Sequence, residues 1–178
     1  MLTKETLRTI RENSLIIDYD YYKPGKKSLY YYVNEANDNE ANDKNSKFFI
    51  SSNKARKLNT LKNDLKNKDY TIFVFHYGEY SKEEFESLTT QYPHNFIYFD
   101  LIELFLNQDG LYRRLKDACL RYCGEDDDIR KTIKKINYDL SRERVQAIKL
   151  LVNHMFNCMD KDRISRYIFY SLIDNTFK

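Results

Sequence analysis

The predicted fold is centred on the run Tyr70-Thr71-Ile72-Phe73-Val74-Phe75-His76. This run is apolar almost throughout and rich in β-branched and aromatic side chains, which is typical of a central strand covered on both faces. Gly78 interrupts the run soon after His76. Ser81 and Glu84 then form the Ser-x-x-Glu pattern of a capping box, so we predict a helix that begins at Ser81.

Segments on both sides of this run alternate between helical and strand-like patterns. Leucines at helical spacing indicate amphipathic helices, and runs rich in Tyr, Phe and Ile bounded by polar residues indicate strands. The predicted helices cover residues 3–13 and 53–67, and the predicted strands cover residues 15–19, 28–33, 48–51 and 95–101. This alternation predicts an α/β domain over residues 1–103.

A second, smaller α+β unit is predicted over residues 104–178. Leu111, Leu115, Ala118 and Tyr122 share one helical face, which Gly124 closes. The run from Ser165 to Ile173 is rich in aromatic and β-branched residues and follows the charged residues 160–163. We therefore predict that residues 165–173 form a strand that closes a sheet.

A perfect tandem repeat, Asn-Glu-Ala-Asn-Asp twice over residues 34–43, separates the strand-like segments 28–33 and 48–51. Polar sequence of low complexity cannot bury enough apolar area to offset the entropy of ordering it. We predict a mobile polar hairpin loop over residues 34–47. A binding role for the repeat is the alternative interpretation.

Composition and charge restrict the class of protein. The net charge of +3 is low for a chain that holds nucleic acid unaided. Three cysteines without framework spacing favour a reducing compartment, and no apolar run approaches the length of a membrane span. We therefore expect a soluble protein inside the cell that has no membrane partner.

Candidate catalytic and metal-binding groups are sparse. The one carboxylate-x-Lys pair considered for a metal-dependent nuclease, Asp64-x-Lys66, falls in a predicted helix rather than at a strand end. Cys119 and Cys123 are four residues apart on one helix, and no second Cys or His pair completes a zinc site. His76 ends an apolar strand and is predicted to be a hydrogen-bonded structural residue. We expect no catalytic residue, no metal and no cofactor.

Basic residues cluster over residues 54–68, 113–116 and 130–144. Acidic residues are interleaved with them, so solvated helix faces are the ordinary interpretation. Contact with nucleic-acid phosphates or with an acidic partner is the functional alternative.

Several segments resemble, in order, a known family. Leu7-Arg8-Thr9-Ile10 is similar to a "W/L-x-x-R-x-T" helix, Phe48-Phe49 to a "VFF" strand, and Arg166-Tyr167-Ile168-Phe169-Tyr170-Ser171-Leu172-Ile173 to a terminal "(G)RYxxYRLV" strand. The chain thereby resembles the fifth subunit shared by the eukaryotic nuclear RNA polymerases, a family that also has archaeal members. It lacks the family's "VPEH" segment and both glycines of "GxKxG". Residues 145–156 have helical spacing where the family has a strand. Such divergence is typical of a viral, poxvirus-like small polymerase subunit.

The resemblance implies a non-catalytic subunit of a DNA-dependent RNA polymerase. Residues 1–103 would be a restriction-endonuclease-like jaw beside downstream duplex DNA, which Tyr80, Ser81 and Lys82 would approach weakly. Residues 104–178 would be an assembly domain docked on the largest polymerase subunit. The interface residues implied are Arg144, Lys149, Arg166, Tyr167 and Tyr170.

The location implied is a cytoplasmic viral factory or virion, or the nucleus if the source is cellular. Two alternatives stay open. One is a stand-alone binding protein of degenerate nuclease fold, and the other is a viral protein that binds a host partner through exposed aromatic residues.

Overall fold

A four-stranded mixed sheet lies at the centre of the computed structural model, which describes residues 2–19, 29–33 and 54–176. The strands are β1 (Ser14–Tyr19), β2 (Leu29–Val33), β3 (Thr71–His76) and β4 (Asn95–Asp100). Their order across the sheet is β2-β1-β3-β4. β2 is antiparallel to β1, whereas β1, β3 and β4 are mutually parallel. The sequence predictions for these four strands are confirmed, and the strand and loop predicted within residues 34–51 lie outside the described residues.

The described residues contain eight helices. These are α1 (Lys4–Glu12), α2 (Lys54–Leu65), α3 (Glu79–Leu88), α4 (Leu101–Asp109), α5 (Leu115–Cys123), α6 (Asp127–Lys135), α7 (Ser141–Cys158) and α8 (Lys161–Thr176). The mixed α+β class is therefore confirmed, as are the helices predicted over 3–13, 53–67 and 145–156. Thr3 caps α1 through its hydroxyl, which accepts a hydrogen bond from the Thr6 amide.

Helices cover both faces of the sheet. Side chains alternate along each strand, so the strands present apolar residues to both faces, and each face needs a covering layer. Leu15 and Ile17 of β1 lie in a cluster with Leu61 and Leu65 of α2 and with Phe85 of α3. On the opposite face, Ile16 of β1 and Phe75 of β3 lie in a second cluster, together with apolar residues of α4, α5, α7 and α8. All six residues of β1 are buried. The chain thus forms three layers, with the sheet in the middle.

The strand predicted over residues 165–173 is wrong, because this segment belongs to α8. Ile164, Tyr167 and Ile168 are buried, whereas Phe169 and Tyr170 are exposed, and this spacing follows the period of a helix rather than the alternation of a strand. The charged residues before it start the helix: Asp160 accepts hydrogen bonds from the Asp162 and Arg163 amides. Packing of one helical face on the sheet outweighs the β propensity of the residues.

The capping box predicted at Ser81 is also wrong. α3 begins at Glu79 with Gly78 at the N-cap, so Ser81 lies inside the helix. Gly78 has φ +105°, a conformation that side chains disfavour, and this turn starts the helix directly after β3. Ser81 is fully buried and its hydroxyl points to the Asp18 carboxylate instead of an amide of its own helix.

The C-terminal half of the chain differs from the predicted α+β unit. Residues 104–176 contain helices and no strand. The predicted boundary at residue 103 lies inside α4, and one hydrophobic cluster joins residues from both sides of it, such as Phe99 of β4 and Ile148 of α7. The helices that follow the sheet in sequence therefore form its second covering layer.

Ile168→Ala tests the position of α8. Ile168 is fully buried, so we expect a loss of about 2–5 kcal/mol in the free energy of unfolding, measured by urea denaturation. Tyr170→Ala is the control, because a strand would place residues 168 and 170 on one face, whereas in α8 the Tyr170 side chain is exposed and its loss should cost under about 1 kcal/mol. Equal losses for the two variants would contradict the helical assignment.

Candidate functional site

Asp18, at the carboxyl end of β1, is a fully buried carboxylate with a basic partner. Its Oδ2 accepts a hydrogen bond from Arg144 Nε of α7 at 3.0 Å, and its Oδ1 lies 3.4 Å from the Ser81 hydroxyl of α3. Ser141, at the start of α7, also hydrogen-bonds to it. Burial raises the pKa of Asp18 to about 6, although Arg144 and the two hydroxyls favour the ionised form. This network fastens α3 and α7 to the central strand.

Polar side chains also end the other two parallel strands. His76 of β3 is buried, and its Nδ1 lies 2.9 Å from the Gly78 carbonyl oxygen, to which it donates. Asp100 of β4 accepts hydrogen bonds through Oδ1 from the amides of Gly78 and Ile102, at 3.1 and 3.0 Å. The prediction that His76 is a hydrogen-bonded structural residue is confirmed. Each of these groups holds a turn or a helix start in place.

An open cleft of about 670 Å³ lies beside this edge of the sheet. Tyr77 and Gly78, which follow β3, form part of its wall. The residues before and within the first turns of α5 and α7 form another part, including Arg114, Lys116 and Arg144. In sheets of parallel strands, ligands bind outside the carboxyl ends of the strands, and the cleft occupies this position. Its volume falls within the range of small-molecule sites, about 300–1,000 Å³.

The three residues predicted to lie near DNA belong to α3. Ser81 is buried against Asp18, so its hydroxyl is not available to a ligand. Tyr80 packs against the cluster that contains Phe85. Lys82 is half-buried, with Nζ 5.7 Å from the centre of the Tyr98 ring. Within this trio, Lys82 alone offers a charged group to a phosphate.

The five residues predicted to form a subunit interface divide into two groups. Arg144 pairs with Asp18, and Lys149 Nζ lies 3.9 Å from the centre of the Tyr32 ring. Tyr167 is buried and donates a hydrogen bond to the Asp100 carbonyl oxygen at 2.6 Å. These three residues make contacts within the chain. Arg166 and Tyr170 are exposed, one helical turn apart on α8.

Two features of the site escaped sequence analysis. Asp18 interrupts the apolar run that begins at Leu15, and a carboxylate inside a buried strand is a signal of a charge pair. Its partner Arg144 lies far away in sequence and was predicted to contact another subunit. The exposed pair Leu111 and Tyr112 was also missed, since Leu111 was predicted to share a helical face with Leu115, whereas α5 begins at Leu115.

The remaining candidate groups are buried or hydrogen-bonded within the folded chain. Cys119 is buried and its thiol lies 3.4 Å from the Ala147 carbonyl oxygen, while burial raises the pKa of the Cys123 thiol to about 12. The Asp64 carboxylate, considered for a nuclease pair, accepts a hydrogen bond from the Tyr31 hydroxyl at 2.6 Å. Within residues 2–19, 29–33 and 54–176, no three His, Cys, Asp or Glu side chains are grouped to hold a metal ion. No helix in these ranges has the length and apolarity that crossing a membrane requires.

Comparison with protein-family models, with curated proteins and with solved structures found no match in any of the three.

The Asp18–Arg144 pair predicts how stability depends on pH. An unfolded Asp has a pKa near 3.9, and burial raises the pKa of Asp18 to about 6 in the folded chain. The folded state thus binds the proton more tightly, so the contribution of Asp18 to stability is greatest below pH 4 and is lost as pH rises through 6. The free energy of unfolding of the wild type minus that of Asp18→Asn should fall between pH 4 and pH 7.

Urea denaturation at steps of half a pH unit measures this difference. Asp174→Asn is the matched control, because Asp174 is exposed on α8 and the same change there should leave the difference flat. A difference that instead rises with pH would mean that Arg144 outweighs burial at Asp18.

Proposed function

We propose that this chain is a non-catalytic small subunit of a DNA-dependent RNA polymerase, with its N-terminal part as a restriction-endonuclease-like jaw. The observation that supports the proposal is the order of elements from α1 to β4. A helix leads into the antiparallel pair β1 and β2, and two helix–strand units then add β3 and β4 in parallel to β1. The resemblance implies a hairpin over residues 28–51, of which the described residues include only β2, followed by a helix, a strand, a helix and a strand. α2, β3, α3 and β4 follow this order.

The support comes from the N-terminal part and not from the end of the chain. Arg166–Ile173, which resembles a terminal strand of the family, lies in α8. A member of the family with this architecture would have replaced its closing strand with a helix. The proposal therefore assigns docking to a helical surface.

The outer side of α8 is the surface that we assign to the largest polymerase subunit. Phe169 and Tyr170 are 53% and 64% exposed, and Arg166 lies beside them; we call these three residues the α8 face. Grooves of about 400 and 500 Å³ flank this face, and Arg166 and Tyr170 line both. Aromatic and arginine side chains are the types that contribute most to binding at protein interfaces.

The proposed role is binding rather than catalysis. The polar groups at the carboxyl ends of β1, β3 and β4 are held in hydrogen bonds that shape the fold. The net charge of +3 and the single cation Lys82 of the predicted trio would suffice for weak contact with downstream DNA, because the rest of a polymerase would hold the duplex. The proposed location follows that of the polymerase, in a cytoplasmic viral factory or virion, or in the nucleus of a cellular source.

A second candidate is a stand-alone binding protein. It is favoured by the helices α4 to α8, whose apolar residues share one cluster with the sheet, so that the C-terminal half covers the sheet. A chain built in this way has no need of a polymerase to complete its core.

Affinity purification of the tagged chain from its native setting, with mass spectrometry, separates the two candidates. We expect the two largest polymerase subunits in amounts comparable to the chain. Phe169→Ala/Tyr170→Ala should lower their recovery at least about tenfold, because these side chains are exposed and of interface type.

Tyr70→Ala is the control, since it removes an exposed aromatic side chain elsewhere and should leave recovery unchanged. Wild-type chain recovered without polymerase subunits would favour the stand-alone candidate. Full recovery with the α8 variant would place docking on another surface.

A further inference from the structure

The cleft at the carboxyl edge of the sheet contains cations that the fold itself does not use. Arg113 forms an ion pair with Asp109, whereas its neighbours Arg114 and Lys116 in the cleft wall form none within the described part of the chain. Arg114 and Lys116 are exposed, and neither side chain has a hydrogen bond or an ion pair with any described residue. Two unengaged cations two residues apart, on the wall of a concave site, are suited to an anionic ligand.

Arg144 supplies a third cation, held in a fixed position. Its side chain is 19% exposed, and its Nε is bound to Asp18. Asp18 neutralises much of its charge. Arg144 therefore adds to the cleft a guanidinium of defined position. The entropy cost of ordering this side chain is incurred when the chain folds and not when a ligand binds.

The backbone contributes in the same direction. α5 begins at the cleft, and its N-cap residue Arg114 forms no side-chain capping hydrogen bond. In contrast, α4 and α6 are capped by the carboxylates of Asp100 and Asp126. Amide groups at a helix start favour negative charge, so the start of α5 adds to the preference of the neighbouring cations for phosphate.

The rest of the wall selects for more than a bare phosphate. Tyr112 is 67% exposed beside the cations and offers a flat ring on which a base can stack. Asp117 and Asp139 also line the cleft, and carboxylates repel phosphate but accept hydrogen bonds from sugar hydroxyls. A ligand that carries phosphate, sugar and base would satisfy all three kinds of group.

We propose that this cleft binds a nucleotide. Its phosphate lies against Arg114, Lys116 and the start of α5, its base stacks on Tyr112, and its sugar faces the two carboxylates. The nucleotide is either free or the 5′-phosphorylated end of a strand, since both present the same chemistry. The inference is independent of a polymerase role, because it rests on a different surface from the α8 face.

Isothermal titration calorimetry of the full chain with ATP, inorganic tripolyphosphate and 5′-phosphorylated hexathymidylate tests the proposal. We expect ATP to bind with a Kd below about 1 mM at low salt. Arg114→Gln/Lys116→Gln should weaken binding at least about tenfold, as expected for two phosphate contacts. The matched control is Lys134→Gln/Lys135→Gln, which removes two exposed charges from α6 and should change the Kd less than about twofold.

Tyr112→Ala distinguishes a nucleotide from a bare phosphate. It should weaken ATP and hexathymidylate but leave tripolyphosphate unchanged, whereas Tyr70→Ala, at a similarly exposed tyrosine, should change none of them. Tighter binding of hexathymidylate than of ATP would assign the strand end as ligand, and the reverse would assign the free nucleotide. Either order supports the proposal.

Salt dependence of the wild type gives a test without any variant. Affinity for ATP should fall as sodium chloride rises from about 50 to about 300 mM, because cations form the phosphate site. The proposal is overturned if no probe binds at about 1 mM, if the α6 control loses as much affinity as the cleft variant, if Tyr112→Ala leaves ATP binding intact, or if salt has no effect.

Discussion

Burial of β1 on both faces is the constraint on which the other parts of the structure depend. All six of its residues are inaccessible, so helices must cover the sheet above and below. The same burial encloses the Asp18 carboxylate, which is unfavourable unless a cation and hydrogen bonds accompany it. Arg144 meets that need, and it thereby fixes α7 against the sheet. Placement of α7 in turn sets one wall of the cleft beside the strand ends.

The sheet was predictable from sequence because each strand is a short apolar run between polar residues. The apolar pattern of residues 70–76 predicts β3 without knowledge of its neighbouring strands. The helical spacing in residues 145–156 likewise predicts α7. α8 was not predictable from composition, since Tyr, Phe and Ile favour strands in isolation. The packing of Ile164 and Ile168 on the sheet decides its conformation, and that is a tertiary effect. Ser81 was misassigned for a similar reason: its hydroxyl faces Asp18, which is distant in sequence.

The site was less predictable than the fold, because residues from separate segments form it. Arg144 and Arg114 belong to basic clusters that sequence analysis left open between solvated faces and phosphate contact. The structure separates the members of these clusters by the partners of their side chains: Arg113 is paired with Asp109 and Arg144 with Asp18, while the guanidinium of Arg114 has no partner among the described residues. Charge counts along the chain cannot make this distinction, since it depends on which carboxylate lies nearby in space.

The proposed docking through the α8 face and the proposed nucleotide site in the cleft both assign a binding role to the chain. The central claim is that it works as a bound component of a larger transcription assembly. Sedimentation of a native extract through a glycerol gradient, with RNA synthesis assayed in every fraction, tests that claim most directly. The account predicts that the chain peaks in the fast fractions that synthesise RNA. A chain confined to the slow fractions of a small free protein, with RNA synthesis elsewhere, would contradict it.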